Sequence, residues 1–360
     1  MKNNIKIAIA ALIGVLFSAC VLYDFDAEQH VNEISLLSNI ELIHDVQVAR
    51  LRAEGDIIHV VATLSGTNAP TNPFRVTIME SETIFDEYGE WAVDAAGEFL
   101  FVSRFDRFNR AQFDRDETRF ARILPAEYFT MPSMSGQIAA GTFSHRFPIQ
   151  LKNLEGLSPD TMYFLNFRIN PAMSDAINVR NQEVLLRIHW GNEIASTREH
   201  AFFTYINSTI TNLTTEMVAR PTISQQVFPL SENSVRMLAG DLTMGSIATA
   251  LPRINAGSIT LTLGEQTAAN PLARYLTITP FGTIEVEQLP PYRHFDNTFV
   301  YTSITSPDGR TTYFKEFRLH YKYRVNQPVD GWGAAATNDQ WRLVQGILRM
   351  EYNPRQQMDR

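Results

Sequence analysis

Only one cysteine, Cys20, occurs among 360 residues, so any fold this chain adopts must rest on packing and hydrogen bonds, with no intramolecular disulfide. The constraint matters because the chain begins as an exported one does. Lys2 and Lys6 precede an apolar run from Ile7 to Phe17, and Ser18-Ala19-Cys20 supplies small residues at a cleavage point. A spanning helix takes about 20 apolar residues, and Tyr23, Asp24 and Asp26 end this run at once. The order predicts a signal peptide over 1–19. Leu16-Phe17-Ser18-Ala19 ahead of Cys20 has the form of a lipobox, with Phe17 where leucine is usual, and predicts lipidation of Cys20.

Residues 20–33 are polar and acidic with no period, which suits a lipidated tether. The body beyond this tether is long enough for two domains at about 100–200 residues each. The formal charge of −8 becomes more negative once Lys2 and Lys6 are removed, and no basic stripe is present, so nucleic acid is not an expected partner.

Strand patterns dominate the body. Ile57 to Leu64, Phe74 to Met79, Glu127 to Met131, Arg146 to Leu151, Met162 to Ile169 and Glu183 to Trp190 are β-branched or aliphatic runs bounded by turn residues. One segment breaks the pattern. From Leu100 to Asp114, Phe101, Phe105 and Phe108 recur at helical spacing, and Asp106, Arg110 and Asp114 form i,i+4 pairs, so a helix is predicted there. Asn207 to Pro221 reads as a polar connection between domains. Beyond it Ile259, Leu261 and Leu263 alternate with threonines, and Ser306-Pro307-Asp308-Gly309-Arg310 marks a hairpin between Phe299 to Thr305 and Thr311 to Leu319. Trp341 to Tyr352 reads as a closing strand.

The order of these pieces resembles a known family. Phe105-Asp106-Arg107-Phe108-Asn109, Phe120 to Tyr128 and the Leu154 to Asp160 turn into Met162 to Ile169 are similar to the N-terminal domain of unknown function in Bacteroidetes surface lipoproteins encoded in polysaccharide-utilisation loci. Asn233 to Gly240 and Lys315 to Arg324 resemble the β-rich C-terminal domain that accompanies it. Phe108 and Phe120 stand where the family pattern has tyrosines, and Ser81 to Glu98 reads as an insertion. The expected fold is all-β in two domains: an N-terminal immunoglobulin-like β-sandwich with one inserted helix over 34–206, and a C-terminal β-sandwich or barrel-like domain over 207–360. The resemblance implies a surface accessory role and no catalytic residues.

Residue chemistry agrees with that role without defining it. The sequence has no His-Glu-x-x-His, no Gly-x-Ser-x-Gly and no Gly-x-x-x-x-Gly-Lys, and its eight histidines lack metal-ligand spacing, so no catalytic residue, metal or cofactor is expected. Two features point to ligands. Arg318, His320, Lys322 and Arg324 share one face of a strand, which suits either an anionic sugar or cross-strand pairing with acids such as Glu285 and Glu287. Trp332, in a loop of small residues, suits either stacking on a pyranose or plugging the end of the domain, and Tyr292, Arg293 and His294 after Pro290-Pro291 form a second such loop.

The expected function is non-catalytic glycan binding for an outer-membrane import system, on a lipoprotein of the outer membrane facing the cell exterior. Its partners would be the membrane through the lipid, a poly- or oligosaccharide, and outer-membrane import proteins. An adhesin or surface-assembly subunit is one alternative, and a glycoside hydrolase with an unrecognised carboxylate pair is the other. Cys20→Ala should abolish fatty-acid labelling and release the protein from membranes, while residues 21–360 alone should be soluble without detergent. Native protein that retains Met1, or a lipid-labelled Cys20→Ala variant, would refute the anchor.

Overall fold

The computed structural model describes residues 32–39, 42–81, 92–93, 99–100, 122–199, 201–244, 250–326 and 340–354. Cys20 and Trp332 lie outside them. So does the expected helix, except that its first residue, Leu100, belongs to a short strand.

In the first domain, alternation lays apolar side chains on one face of each strand. Along β4 (Asp56–Leu64), Ile58, Val60, Ala62 and Leu64 are buried while their neighbours are not. One sheet runs in the order β1 (Ile34–Leu36), β4, β11 (Ser144–Leu151) and β9 (Phe129–Thr130), all antiparallel. The second runs β10 (Ser135–Ile138), β5 (Phe74–Glu80), β12 (Tyr163–Ile169), β13 (Glu183–Ile188) and β2 (Ile43–Asp45), with β8 (Arg122–Ile123) also on β12. Two small pairs are also found among the described residues: β3 (Ala49–Arg50) with β14 (Trp190–Gly191), and β6 (Ala92–Val93) with β7 (Phe99–Leu100).

Both main sheets enclose one core, from Ile34 to Trp190. The two-layer architecture therefore matches expectation at a coarse level. The parallel pairings of β2 with β13 and β8 with β12 are not part of the wholly antiparallel sandwich that the immunoglobulin-like label implies. The expected strand at Glu127 to Met131 begins instead as a 3₁₀ turn over Ala126–Tyr128, which leaves only Phe129–Thr130 as strand.

The second domain is a closed antiparallel barrel of eight strands, which decides between sandwich and barrel. Its strands are β15 (Ala201–Asn212), β17 (Ser224–Ser231), β18 (Ser234–Leu238), β19 (Ser258–Gln266), β20 (Ala273–Phe281), β22 (Thr298–Thr305), β23 (Thr311–Arg324) and β24 (Arg342–Tyr352). β24 pairs with both β15 and β23 and closes the ring. β16 (Val218–Ala219) and β21 (Glu285–Gln288) add short pairings on β15 and β23. The 306–310 hairpin forms as expected, with Thr305 opposite Thr311 and Gly309 at a φ of 83°.

Inward residues fill the barrel. Phe203, Phe299 and Phe317 pack ring against ring at 4.8 and 5.1 Å, and Ile259, Leu261 and Leu263 lie inside as their alternation predicts. One end holds a buried polar group. The Gly240 N–H donates to the Tyr321 hydroxyl, Tyr323 donates to Asp241, and Gln225 donates to the Gly240 and Leu242 carbonyls. At Gly240, φ is 51° and a Cβ would lie 2.7 Å from the Tyr323 ring, so the approach depends on glycine.

Two sequence expectations need correction. The connection expected at Asn207 to Pro221 begins as the second half of β15, which crosses the 206/207 junction unbroken. A β-bulge between Ile206 and Thr209, with Asn207 at a φ of 45°, hides the strand in a polar stretch, and buried Ser208 satisfies Ile206 and Ile347 there. The two cores part between Trp190 and Ile194 instead. An unanticipated helix, α1 (Ala250–Gly257), leads into β19. Its Pro252 sits in the first turn, where no N–H is required, and Gly257 ends it.

The domains are joined by more than the chain. Asp160, from the turn before β12, forms a buried two-pronged ion pair with Arg236 of β18 at 2.7 and 2.8 Å, and Glu155 accepts the Glu232 N–H. The Arg236 guanidinium also lies over the Phe228 ring. Asp160→Ala strands a buried cation and should lower stability by about 3–5 kcal/mol in urea unfolding, with partial recovery in Asp160→Ala/Arg236→Met. Unchanged stability in the single variant would place the pair in water.

Burial raises the hydroxyl pKa of Tyr205, Tyr321 and Tyr323 above the ordinary tyrosine value. A raised folded-state pKa gives stability that is complete below about pH 10 and is lost as pH rises further. Urea midpoints should hold up to about pH 10 and then fall, together with the appearance of tyrosinate absorbance. Tyrosinate appearing before any unfolding would show these hydroxyls to be hydrated.

Candidate functional site

Between the two domains lies a cleft of about 1020 Å³. Its walls come from residues 48–54 of the first domain, from the connection 191–199, and from the near end of the barrel. The connection is shaped locally. Trp190 and Thr197 exchange hydrogen bonds, and a Cβ at Gly191 would lie 2.7 Å from the Ala195 carbonyl oxygen, so the turn closes only over glycine. The Asn192 side chain accepts the N–H groups of Ile194 and Ala195 and donates to the Ser231 and Ser234 carbonyls, which fixes the connection to the β17–β18 turn.

The 191–199 connection holds Glu193 in the cleft. Its carboxylate receives Arg274 Nη1 at 2.6 Å and its carbonyl receives Lys315 Nζ. Arg274, at the start of β20, also donates to the Gly264 carbonyl and to the Asn233 side chain. Aromatic rings stand beside these groups. Tyr301 and Tyr352 meet edge to face at 5.4 Å, Tyr313 lies 6.2 Å from Tyr352, and Lys315 lies over the Tyr352 ring. Burial, then the neighbouring Tyr313, raises the Tyr352 hydroxyl pKa above its ordinary value.

The lining thus joins ring faces to hydrogen-bonding groups in one concave place, the arrangement expected of a small-molecule site. Among the described residues, no three His, Cys, Asp or Glu side chains gather to hold a metal.

Of the residues singled out in sequence, Trp332 and Cys20 lie outside the described residues, and the other three fall elsewhere. Tyr292, Arg293 and His294 are exposed, as a loop reading requires, but none lines the cleft. Their loop is a tight turn in which Tyr292 and Phe295 exchange backbone hydrogen bonds and Arg293 has a φ of 55°. Because Gln288 pairs with Tyr321 and Thr298 with Arg318, the loop sits against the middle of β23 and not at a barrel end. The rings stack on their own neighbours, Tyr292 on His320 and His294 on Phe295, with Arg293 over Tyr292.

The basic face of β23 is resolved in favour of pairing. Lys322 meets Glu287 at 2.8 Å, Arg324 meets Glu285, and Arg318 shares buried Glu316 with Arg349. His320 is turned to the Pro290 carbonyl. Hydrogen bonds from Arg324 and then Asn326 hold the Glu285 carboxyl below its usual range. Sequence reasoning missed Glu193, Arg274, Tyr301 and Tyr352, which are spread along the chain and share no motif.

Comparison with known proteins agrees with this architecture. A family model for an N-terminal domain matches residues 39–176, and one for a C-terminal domain matches residues 182–349. No curated protein matches the chain. Among solved structures, a protein of unknown function from Bacteroides ovatus is 15% identical with a TM-score of 0.56, covering 88% of this chain and 91% of that one. A Bacteroides ovatus multidomain protein that includes DUF1735 is 14% identical with a TM-score of 0.55, over 88% and 94% of the two chains. An auxiliary nutrient binding protein from Bacteroides thetaiotaomicron is 13% identical with a TM-score of 0.52, over 90% and 95%. With both domain models matched in order and the whole fold shared with Bacteroides structures, the chain belongs to the two-domain proteins of the Bacteroidetes, its N-terminal domain matched over 39–176 and its C-terminal domain over 182–349.

Proposed function

We propose that this chain is a surface lipoprotein that captures glycans in the cleft between its domains and supplies an outer-membrane import system, without catalysing a reaction. The observation that carries the reading is the meeting of Tyr301 and Tyr352 with Glu193, Arg274 and Asn233 in one cleft. A pyranose presents an apolar face that a tyrosine ring can cover and hydroxyls that donate and accept hydrogen bonds, and this lining offers both kinds of partner. A volume of about 1020 Å³ suits an oligosaccharide better than a single sugar. A Bacteroides thetaiotaomicron protein of the same fold is described as an auxiliary nutrient binding protein, and a role in uptake is in keeping with that. Lipidation of Cys20, with 20–33 as tether, would hold the cleft outside the outer membrane.

Glycoside hydrolysis is the second reading, because five carboxylates line the cleft and the chemistry asks for two flanking a bond. On a glycan array, residues 21–360 should bind at least one oligosaccharide. Tyr352→Ala should weaken that binding at least about tenfold, about 1.4 kcal/mol, while the melting temperature barely moves. A confirmed glycan whose affinity is the same in Tyr352→Ala and Arg274→Ala would remove the cleft as its site. Release of shorter sugars on incubation would convert the assignment to a hydrolase.

A further inference from the structure

We propose that the cleft takes a neutral oligosaccharide in preference to an anionic one, an inference that rests on the glycan-binding reading above. Four cations and five carboxylates line the cleft among the described residues, so an incoming uronate or sulfate meets a slight excess of its own sign.

Most of the cations are also engaged. All three guanidinium nitrogens of Arg274 donate within the protein, to Glu193, Asn233 and Gly264. Lys315 is buried, donates to the Glu193 carbonyl and lies over Tyr352. Arg52 is held by the Gly55 carbonyl and Asp56. An anionic sugar could recruit Arg274 only by displacing Glu193, which exchanges one carboxylate for another and leaves Glu193 without its cation. No such exchange is needed for a neutral sugar. Its hydroxyls can donate to carboxylate oxygens of Glu193, Glu232 or Glu351, while its ring lies on tyrosine.

The basic strand face that suggested an acidic ligand in the sequence is the outer face of β23, and Glu285, Glu287 and Glu316 neutralise it there.

The test is calorimetric titration of residues 21–360 with neutral hexose and pentose hexasaccharides and with length-matched oligogalacturonate and sulfated oligosaccharides, each at low and high salt. A neutral sugar should bind at least about tenfold more tightly than any anionic one, and its affinity should be the same at both salt concentrations. Glu232→Gln/Glu351→Gln should narrow the gap by improving anionic binding. Tighter binding of an anionic sugar, weakened by salt and lost in Arg50→Ala, would overturn the neutral class and leave the cleft as a glycan site. Binding of neither class would overturn the glycan reading together with this one.

Discussion

The pairing of β24 with both β15 and β23 is what makes the second domain a container instead of an open sheet. A chain without a disulfide has no covalent means of holding distant segments together, and closure holds them through hydrogen bonds while leaving no long strand edge exposed. The contact is also distant in sequence, since Ser208 and Ile347 meet across 139 positions. Closing the ring therefore carries a high loop-closure cost, which burial of Phe203, Phe299, Phe317 and Tyr321 in one core offsets. The cleft depends on the same event. Tyr352 ends β24, Lys315 lies on β23, and Ala201 opens β15, so closure brings all three to one rim.

Local features of this fold were legible in the sequence, and distant ones were not. The threonine-spaced run at Ile259, Leu261 and Leu263 and the Asp308-Gly309 hairpin are specified by neighbours a few residues apart, and both appear where expected. The bulge at Asn207 conceals the strand because buried Ser208 meets Ile347, a partner 139 positions away that only the tertiary structure supplies. Helix α1 is a single short element with Pro252 inside it, too brief for a 3.6-residue period to emerge. The alternation of β23 shows its basic face and the sequence offers Glu285 and Glu287 as partners, but the register that sets Glu285 opposite Arg324 and Glu287 opposite Lys322 is a property of the folded sheet. The candidate cleft was invisible for a further reason. Glu193 and Arg274 are 81 positions apart and carry no motif that would pair them in the sequence.

What lets two unlike domains share a site is the contact that fixes their relative position. A buried Asp160–Arg236 pair is a weak source of net stability, because desolvating both charges costs about what their attraction returns. It is a strong source of geometry, since the fork of a guanidinium accepts a carboxylate in few orientations. Glu155 on the Glu232 N–H and Asn192 on the β17–β18 turn add two more fixed points near the cleft. All three contacts converge on the β17–β18 hairpin, so one element of the barrel carries the attachment of the first domain.

A cleft held this way loses little entropy to ordering when a ligand enters, and pre-organisation is where an open carbohydrate site gains affinity, because sugar hydroxyls exchange water for protein at small net benefit. The same logic explains why the lining residues are tied to one another. Arg274 anchored by Gly264, Asn233 and Glu193 presents its carboxylate partner in one orientation, and Lys315 lies over the face of Tyr352. Interactions among the lining residues thus pre-position the hydrogen-bonding groups of the cleft, and they do so by neutralising the positive charge that an acidic ligand would need.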